Sequence, residues 1–386
     1  MKWHEHRLKL FWIMELNETL VDANYNSTLL YELNHARMIF NIPVIVFLFI
    51  NMFVGAMGNI LVITVYIFFS ERTVATYYIS IVAFIDMVSC CFCLPFQIYD
   101  LWNPYINSLS TLCRIDRWLE NFTNALNGFI LICVASERYS KICYPLEPYT
   151  RSKAKSLTII VVAMALSLSW PQLIITGKQT LVVGKYKIIG EDCSYNDYFQ
   201  NSIYVVLFQG LLFTVWVFSF VSAFFFYFNI LIVIVRRKRE MKSAKQNQTN
   251  DDANQSQMSA VKSSPFRKYG SVNGRIKMRS SKTTVCLVSI TLAAILSYVP
   301  FLTVQTVRTS GKYFQTTVTP SGEYYHYGNS AAVDLLCTFC VKSYLLNTAF
   351  NPIIYSVMNP KFRAKVRYAF RQIMKKFKGC LCKKNT

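Results

Sequence analysis

The stretch Met38–Phe69, MIFNIPVIVFLFINMFVGAMGNILVITVYIFF, contains no aspartate, glutamate, lysine or arginine. An α-helix rises about 1.5 Å per residue, so about 20 apolar residues are enough to cross the hydrocarbon core of a bilayer. This stretch is longer than that. It therefore predicts a membrane-spanning helix, which sets the class of fold for the rest of the chain.

Six further stretches pass the same length test. They lie at Tyr77–Ile98, Leu112–Ile142, Ser156–Thr176, Ser202–Val235, Thr283–Val307 and Ala331–Met358. The third of the seven spans is the least apolar, since it contains Glu120, Asn121, Asn124 and Asn127. Polar side chains are costly in a membrane unless they face the interior of a bundle. We therefore predict an all-α membrane protein, a seven-transmembrane helix bundle with a short amphipathic helix 8 at Pro360–Arg371.

The charge distribution predicts how the bundle is oriented. The chain is 53% hydrophobic and 16% charged, whereas soluble domains carry about 25% charged residues. The net charge of +21 comes from lysines and arginines that flank apolar stretches, which argues against a nucleic-acid-binding protein. With the amino terminus outside, 29 of the 41 basic residues fall in inner loops and the tail, and 11 in outer segments. The positive-inside rule then predicts a multi-pass membrane protein with an outer amino terminus and a cytoplasmic carboxyl terminus.

This topology divides the chain into an extracellular arm at residues 1–37, the bundle at 38–358, and helix 8 with the cytoplasmic tail at 359–386. No cleavable signal peptide is indicated, so the first span is expected to act as the targeting signal, with Met14 as an alternative start. Within the bundle, residues 236–282 form the third intracellular loop.

The third intracellular loop has a polar centre between two basic runs. The centre, Ser243–Asn273, is rich in Ser, Asn and Gln, which predicts disorder. Ser263 and Ser264 there are available for phosphorylation. The flanking runs, Arg236–Arg239 and Arg275–Lys282, are expected to continue the fifth and sixth helices and to contact a protein partner or anionic membrane lipids.

Two of the twelve cysteines, Cys113 and Cys193, fall at outer positions, where an oxidising environment makes a disulfide between them plausible. The basic tail holds Cys380 and Cys382, which are candidates for palmitoylation or remain unmodified thiols. Glycosylation motifs lie in the outer arm at Asn17 and Asn26. The sequence has no phosphate-cradling loop, zinc-ligand spacing or nucleophile elbow, so it does not indicate an enzyme.

Short motifs stand on the predicted helices in a fixed order. Gly58-Asn59-Ile60-Leu61-Val62 lies in the first span, Asp86 precedes Pro95 by nine residues in the second, and Glu137-Arg138-Tyr139 ends the third. The seventh contains Asn347 and Asn351-Pro352-Ile353-Ile354-Tyr355, and Phe362 follows it. These motifs resemble those of rhodopsin-like (class A) G-protein-coupled receptors. In its overall sequence pattern the chain is most similar to peptide receptors of invertebrates. The resemblance covers roughly Ile39–Phe370.

The resemblance implies a switch that meets the G protein and a site for sodium. The switch residues are Glu137, Arg138, Tyr139, Tyr227, Tyr298, Pro300, Asn351, Pro352 and Tyr355. Arg138 is expected to pair with Glu137 at rest, and Tyr298 stands where the family usually has a tryptophan. The sodium site would comprise Asp86, Asn127, Asn347 and Asn351, with Asn59 beside them. The alternative is a hydrogen-bonded polar core without an ion.

The resemblance also implies a ligand site near the outer end of the bundle. Its expected residues are Gln97, Glu120, Asn124, Tyr195, Phe301, Gln305 and Lys342. Amine receptors use an aspartate at the position of Glu120. Lys342 is expected to pair with Glu120, to meet an acidic ligand group, or to extend toward the membrane edge. The stretch Leu181–Ile189 predicts a hairpin with a two-residue turn at Gly184-Lys185, which resembles peptide receptors.

Together these features predict a neuropeptide receptor that promotes nucleotide exchange on a heterotrimeric G protein. An amine or other small-molecule chemoreceptor using Glu120 is the alternative within the same fold. A membrane transporter or channel is the alternative of a different class, and the lack of an internal repeat of hydrophobic segments argues against it. The expected partners are the extracellular ligand, the G protein and membrane lipids, with no nucleic acid. The resemblance also implies a kinase and arrestin as partners, and the plasma membrane as the location. No cofactor is expected apart from an allosteric sodium ion.

Overall fold

A computed structural model describes residues 2–147, 149–183, 188–200, 202–255, 270–309 and 331–383. These ranges contain eight long helices and one β-hairpin. The helices are α1 (Lys2–Phe68), α2 (Val74–Trp102), α3 (Ser110–Cys143), α4 (Arg151–Ile175), α5 (Ile203–Gln255), α6 (Gly270–Thr309), α7 (Ala331–Met358) and α8 (Pro360–Lys383), and the strands are β1 (Thr176–Val183) and β2 (Ile188–Tyr195). Helix α3 contacts α2, α4, α5, α6 and the hairpin, so it lies at the centre. The predicted seven-helix bundle is confirmed.

The central helix differs from its neighbours in polarity. Helices α1, α2, α4, α5, α6 and α7 are long and apolar enough to cross a membrane, whereas α3 is not. Helix α3 buries four charged side chains: Asp116, Glu120, Glu137 and Arg138. The surrounding helices shield these groups from lipid, as the polar residues of the third span predict. We call the end with the Cys113–Cys193 disulfide the outer end, and the end with Glu137 and Arg138 the inner end.

Apolar side chains fill the bundle in two clusters. The larger one surrounds Ile130 and Tyr355 toward the inner end, and the smaller one surrounds Leu48 and Leu94 toward the outer end. Helix α1 packs closely on α7, because Gly58 has no side chain to hold them apart. A Cβ atom added to Gly58 would lie 2.5 Å from the Cβ of Pro352, which is closer than real Cβ atoms approach.

Helices α2 and α7 are interrupted near their middles, which was not predicted. Residues Ser89–Cys93 of α2 form a π-helical turn just before Pro95, and Ser343–Leu346 of α7 form a 3₁₀ turn. Such turns change the number of residues per turn, so they rotate the side chains beyond them relative to an unbroken helix. The predicted bend points Pro300 and Pro352 lie inside α6 and α7.

The hairpin forms, but its turn differs from the prediction. The strands pair antiparallel from Thr176 opposite Tyr195 to Val183 opposite Ile188. A two-residue turn at Gly184-Lys185 would instead place Val183 opposite Tyr186, so that prediction is wrong. Residues 184–187, which connect the strands, lie outside the described residues. The shift is two residues, which leaves the same side chains on each face of the hairpin.

Contacts with the bundle hold β2 independently of its turn. The predicted disulfide is confirmed: Cys113 of α3 and Cys193 of β2 are bonded, with Cα atoms 5.7 Å apart. The backbone N–H of Glu191 donates to the carbonyl of Tyr105 at 2.9 Å, and its carbonyl accepts from Asn107 at 3.0 Å. These bonds fix the position of β2 over the outer end of α3.

Several predicted boundaries fall short of the helices. Helix α1 begins at Lys2, well before Met38, and α8 continues past Arg371 to Lys383. Apolar residues recur at helical spacing beyond Arg371 without an intervening proline, so the amphipathic pattern continues. Helices α5 and α6 extend into the third intracellular loop as predicted. They extend further than expected, so both ends of the segment Ser243–Asn273, which was predicted to be disordered, are helical. Its centre at 256–269, with Ser263 and Ser264, lies outside the described residues.

Candidate functional site

At the outer end, an arginine on α3 holds three elements together. Arg117 Nη2 donates to Asp100 Oδ2 of α2 at 2.9 Å and to the backbone carbonyl of Cys193 in β2 at 3.3 Å. Its Nη1 donates to Glu120 Oε2 at 3.3 Å. Asp100 also accepts from Asn107 Nδ2 at 2.9 Å. Arg117 therefore ties α2 and the hairpin to α3 directly above the predicted ligand residue Glu120.

Gln97 occupies the middle of this region and is fully buried. Its Nε2 donates to Asp116 Oδ2 at 3.0 Å and to Glu120 Oε2 at 3.2 Å, and its Oε1 accepts from Lys342 Nζ of α7. Lys342 is buried, so it does not extend toward the membrane edge. It also does not pair directly with Glu120, because the amide of Gln97 lies between them.

The other predicted ligand residues lie around this region. Asn124 Oδ1, one turn of α3 further in, accepts from the hydroxyl of Tyr298 at 2.9 Å. The ring of Phe301 lies 4.8 Å from that of Tyr344. Gln305 is half-buried on α6. The hydroxyl of Tyr195 in β2 accepts a hydrogen bond from the side-chain amide of Gln209 in α5.

Sequence reasoning did not identify four members of the outer site: Asp100, Asp116, Arg117 and Asp192. A usable signal exists for Asp116, because it lies four residues before Glu120 and so on the same face of the helix. Asp192 is half-buried, and Arg117 and Lys342 are the cations that offset its charge. Burial, followed by the charge of Asp100, raises the pKa of Asp192 to about 6, and Arg117 offsets part of this rise.

The middle of the bundle holds a buried carboxylate among asparagines. Asp86 Oδ1 accepts from Asn127 Nδ2 of α3 at 3.0 Å, and its Oδ2 accepts from Asn351 Nδ2 of α7 at 2.7 Å. Asn59 does not contact Asp86. It donates instead to the carbonyls of Gly55 and Thr348, at 2.9 and 2.8 Å. The predicted cluster thus joins α2, α3 and α7, while Asn59 joins α1 to α7.

The same cluster leaves several acceptors unused. The side-chain oxygens of Asn59, Asn127, Asn347 and Asn351 are buried and have no hydrogen-bond partner. The orientation of Asn127 and Asn351 is set by their donation to Asp86, so their oxygens must point elsewhere. One carboxylate and several amide oxygens are the donors that a hard cation such as sodium takes. The residues present therefore fit the sodium site that the resemblance implies.

Tyr298 lies between the outer site and this cluster, stacked among aromatic rings of other helices. Its ring centroid is 4.2 Å from that of Trp216 and 6.4 Å from that of Phe220, both on α5, and 6.0 Å from that of Tyr344 on α7. Trp216 also packs on Gly128 of α3, where an added Cβ would lie 3.1 Å from the indole. Through these ring contacts and its hydrogen bond to Asn124, Tyr298 contacts α3, α5 and α7.

At the inner end, Arg138 Nε lies 2.5 Å from Glu137 Oε2, so the two expected partners form an ion pair. The N–H is not directed at that oxygen, and Nη2 of the same guanidinium is buried without a hydrogen-bond partner. Glu137 also receives Lys141 Nζ at 3.5 Å. Arg138 is thus held by charge, and much of its hydrogen-bonding capacity is unused.

The remaining switch residues pack around Arg138 and α7. The hydroxyl of Tyr227 on α5 lies 3.0 Å from that of Thr291 on α6. The ring of Tyr139 packs against Tyr144 and Phe226, at 5.7 and 5.6 Å between centroids. Tyr355 is buried and packs against Tyr66 and Phe362. Of the predicted modification sites, Asn26 is exposed, whereas the side chains of Asn17, Cys380 and Cys382 lie outside those described.

Comparison with known proteins gives a family and several relatives. The sequence pattern described as 7 transmembrane receptor (rhodopsin family) matches residues 58–355. The cholecystokinin receptor type A of Oryctolagus cuniculus is 32% identical over 116 residues, which cover 29% of this chain and 27% of that receptor. The growth hormone secretagogue receptor type 1 of Sus scrofa is 23% identical over 325 residues, or 81% of this chain and 76% of that receptor. The match to the cholecystokinin receptors thus spans about a quarter of their length.

Proposed function

We propose, since the chain belongs to the rhodopsin family of seven-transmembrane receptors, that it binds an extracellular peptide and activates a heterotrimeric G protein. In the proposed topology the outer end faces the outside of the cell and the inner end faces the cytoplasm. The excess of basic residues in the inner segments, 29 of 41, supports this orientation at the plasma membrane.

Two features support a peptide as the ligand. The hairpin is tied to α3 by a disulfide and by Arg117, so it presents a β-structured rim at the outer end. The relatives are named as cholecystokinin and growth hormone secretagogue receptors, which are peptide receptors. A neuropeptide is our first candidate.

The observation that carries the proposal is a series of buried polar contacts on successive turns of α3. Glu120 contacts Gln97 of α2, Asn124 contacts Tyr298 of α6, and Asn127 contacts Asp86 of α2. Each contact joins α3 to a helix that must move relative to it during switching. A ligand that alters the first contact therefore shifts the equilibrium between the two arrangements of the next contact. A bundle with two stable arrangements transmits a signal in this way.

The inner end supplies a place for the G protein. The buried guanidinium of Arg138 has an unused donor, and within the described part of the chain its ion pair is with its sequence neighbour Glu137. When the inner ends of α5 and α6 separate from α3, this donor becomes available to backbone carbonyls of the partner. Kinase and arrestin are proposed as later cytoplasmic partners, and anionic lipids as contacts of the basic inner segments.

A sodium ion is proposed as an allosteric ligand of the middle cluster. Asp86, Asn127, Asn347 and Asn351 would hold it. When bound, the ion neutralises the buried carboxylate and uses amide oxygens that otherwise have no partner. The three helices α2, α3 and α7 would then be held in the resting arrangement.

A small cationic molecule is the second candidate ligand, because Glu120 Oε1 is buried without a hydrogen-bond partner. Glu120→Gln separates the two candidates. A loss of nearly all response to an amine would support the small-molecule receptor. A peptide, which also contacts the hairpin, should keep part of its response, and this outcome would support the peptide receptor. Arg117 and Gln97 remain in place in this variant, so the geometry of the site is retained.

The test is a screen of synthetic peptides and amines against the expressed full chain. Nucleotide exchange is measured on a panel of purified G proteins, with calcium and cyclic-AMP responses in cells. We expect a peptide to stimulate exchange in the wild type but not in Arg138→Ala, which should still bind it. Ion flux through reconstituted protein without a G protein would overturn the proposal in favour of a channel or transporter.

A further inference from the structure

The outer site contains more negative than positive charge. Six ionisable side chains lie close enough to interact: the carboxylates Asp100, Asp116, Glu120 and Asp192, and the cations Arg117 and Lys342. When all are ionised, two negative charges remain unbalanced. Elsewhere at the described outer end, Asp334 pairs with Arg37 and Glu191 pairs with Lys178. Asp197 accepts from Thr180, and Arg114 lies on the exposed side of α3 next to Gly177, outside this group of six.

The two cations do not reach all four carboxylates. Arg117 bonds to Asp100 and Glu120. Lys342 donates to the neutral amide of Gln97 rather than to a carboxylate. Asp116 therefore receives only an amide N–H of Gln97, and Asp192 receives only the backbone N–H of Cys193 at 2.7 Å.

Glu120 gives a second and independent sign that a group is missing. The residue is 9% exposed, and its Oε1 is buried without any hydrogen-bond partner in the described structure. A buried carboxylate oxygen without a partner is unfavourable, because it has lost its water and gained nothing in return. Either a proton or an external donor has to occupy this position.

We propose that a positively charged group of the ligand, best a guanidinium, binds between Asp116 and Glu120 and supplies the missing charge at the outer site. This inference rests on the proposed receptor function. One nitrogen of Gln97 already touches both carboxylates, so a single planar group can span them. For a peptide ligand the group is an arginine side chain. An anionic ligand is disfavoured, since Arg117 and Lys342 both have partners.

The experiment measures binding without a G protein. Purified full-length chain in lipid nanodiscs is heated with increasing L-arginine amide or with L-citrulline amide, which has the same shape but no charge. We expect arginine amide to raise the unfolding temperature in a saturable manner and citrulline amide to leave it unchanged. Asp116→Asn should require at least a tenfold higher concentration for the half-maximal shift, and Asp116→Asn with Glu120→Gln should abolish it. Glu191→Gln, which removes a carboxylate outside the site, is the matched control.

Equal shifts with the two amides, or an undiminished shift in the double variant, would overturn the inference. A larger shift with N-acetyl-L-glutamate would overturn it as well, because the cations would then form the site. The comparison of the two amides needs only the wild type, so a poorly folding variant does not remove the test. Failure of the receptor proposal looks different: arginine amide binds as expected, but no ligand drives nucleotide exchange.

Discussion

Tyr298 illustrates how one residue can change a switch. The family usually has a tryptophan at this position, and the tyrosine adds a hydroxyl that donates to Asn124 Oδ1 at 2.9 Å. The ring keeps the aromatic stacking on Trp216. The hydrogen bond therefore joins α6 to α3 below the outer site, in addition to the packing.

Tyr298→Phe is expected to raise ligand-independent activity. The change removes one hydrogen bond worth about 1 kcal/mol between α3 and α6, so the active population should rise about fivefold if the bond exists only at rest. Basal nucleotide exchange at matched expression measures this. Tyr204→Phe, which removes a hydroxyl from an exposed tyrosine on α5, is the control. Unchanged or lower basal exchange in Tyr298→Phe would contradict the proposal that this hydrogen bond stabilises the resting state.

Asp86→Asn is expected to abolish any effect of sodium on ligand affinity. The change removes the one charge among the amide oxygens of Asn127, Asn347 and Asn351. Affinity of the activating peptide is compared in sodium chloride and in N-methylglucamine chloride at equal ionic strength. The wild type should bind agonist more weakly in sodium. A sodium-insensitive wild type would favour the alternative of a hydrogen-bonded core without an ion.

Much of the middle cluster was predictable from sequence, because Asp86 and Asn351 stand on motifs whose spacing fixes their depth, and Asn127 lies ten residues before Glu137 on the same span. The outer site was harder to predict from sequence. Asp100 and Arg117 belong to it because they form an ion pair, and they lie on different helices whose relative rotation depends on the π-helical turn in α2. Pro95 follows that turn and predicts a bend, but it does not predict the rotation that the turn adds.

At the scale of elements, the seven spans were predictable from apolar length, whereas details of pairing were not. The hairpin was expected from a two-residue turn at Gly184-Lys185, but β2 is held by the disulfide to Cys113 and by the backbone bonds of Glu191, not by that turn. Apolar length also places α1 without saying how closely it approaches α7.

Gly58→Ala is expected to destabilise the packing of α1 on α7. The new Cβ would meet Pro352 at 2.5 Å, and a proline within a helix cannot easily yield, so a cost of about 1–3 kcal/mol follows. The thermal unfolding midpoint of the purified protein measures it. Gly210→Ala is the matched control, because nothing lies within 4 Å of its added Cβ and helix propensity should favour it by about 1 kcal/mol. Equal midpoints for both variants would contradict this packing.

The hairpin is expected to be more firmly held at acidic pH. Burial and Asp100 raise the pKa of Asp192 to about 6, so its ionisation opposes the folded state. The stabilisation that comes from keeping Asp192 neutral is fully present below its ordinary pKa of 3.8, and it is lost as pH rises through about 6. Asp192→Asn should therefore gain stability over the wild type between pH 5 and pH 7, by about 1 kcal/mol at most for a half-buried group. A gap in unfolding temperature that does not change with pH would contradict this, and Glu191→Gln is the control.

For the whole molecule, the part of α1 that precedes the first predicted span contributes contacts to the bundle that the seven spans alone do not predict. Arg37 precedes the apolar stretch that was predicted as the first span, yet its Nη1 lies 2.5 Å from Asp334 Oδ2 at the outer end of α7. Asn34 nearby accepts from the backbone N–H of Tyr105 at 3.0 Å and so joins α1 to the segment after α2. The outer extension of α1 therefore closes the bundle on the side opposite to α5.

Arg37→Met is expected to lower the stability of the whole bundle by about 3 kcal/mol, because it removes a cation that pairs with the fully buried carboxylate of Asp334. The double variant Arg37→Met with Asp334→Leu should recover most of this loss, since apolar replacements of a buried pair are often tolerated. Thermal unfolding of both purified variants measures the difference. If the single variant were as stable as the wild type, the ion pair would have no part in closing the bundle.

The polarity of α3 has a consequence for how the protein is made. A helix with buried Asp116, Glu120, Glu137 and Arg138 gains too little from lipid to leave the translocon by itself. It has to enter the bilayer together with neighbours that cover its charges. A nascent chain that stops after Cys143 therefore lacks α5 and α6, and its third helix has no stable place in the membrane. We therefore expect the release of the central helix into the membrane to be delayed until later segments have emerged from the ribosome.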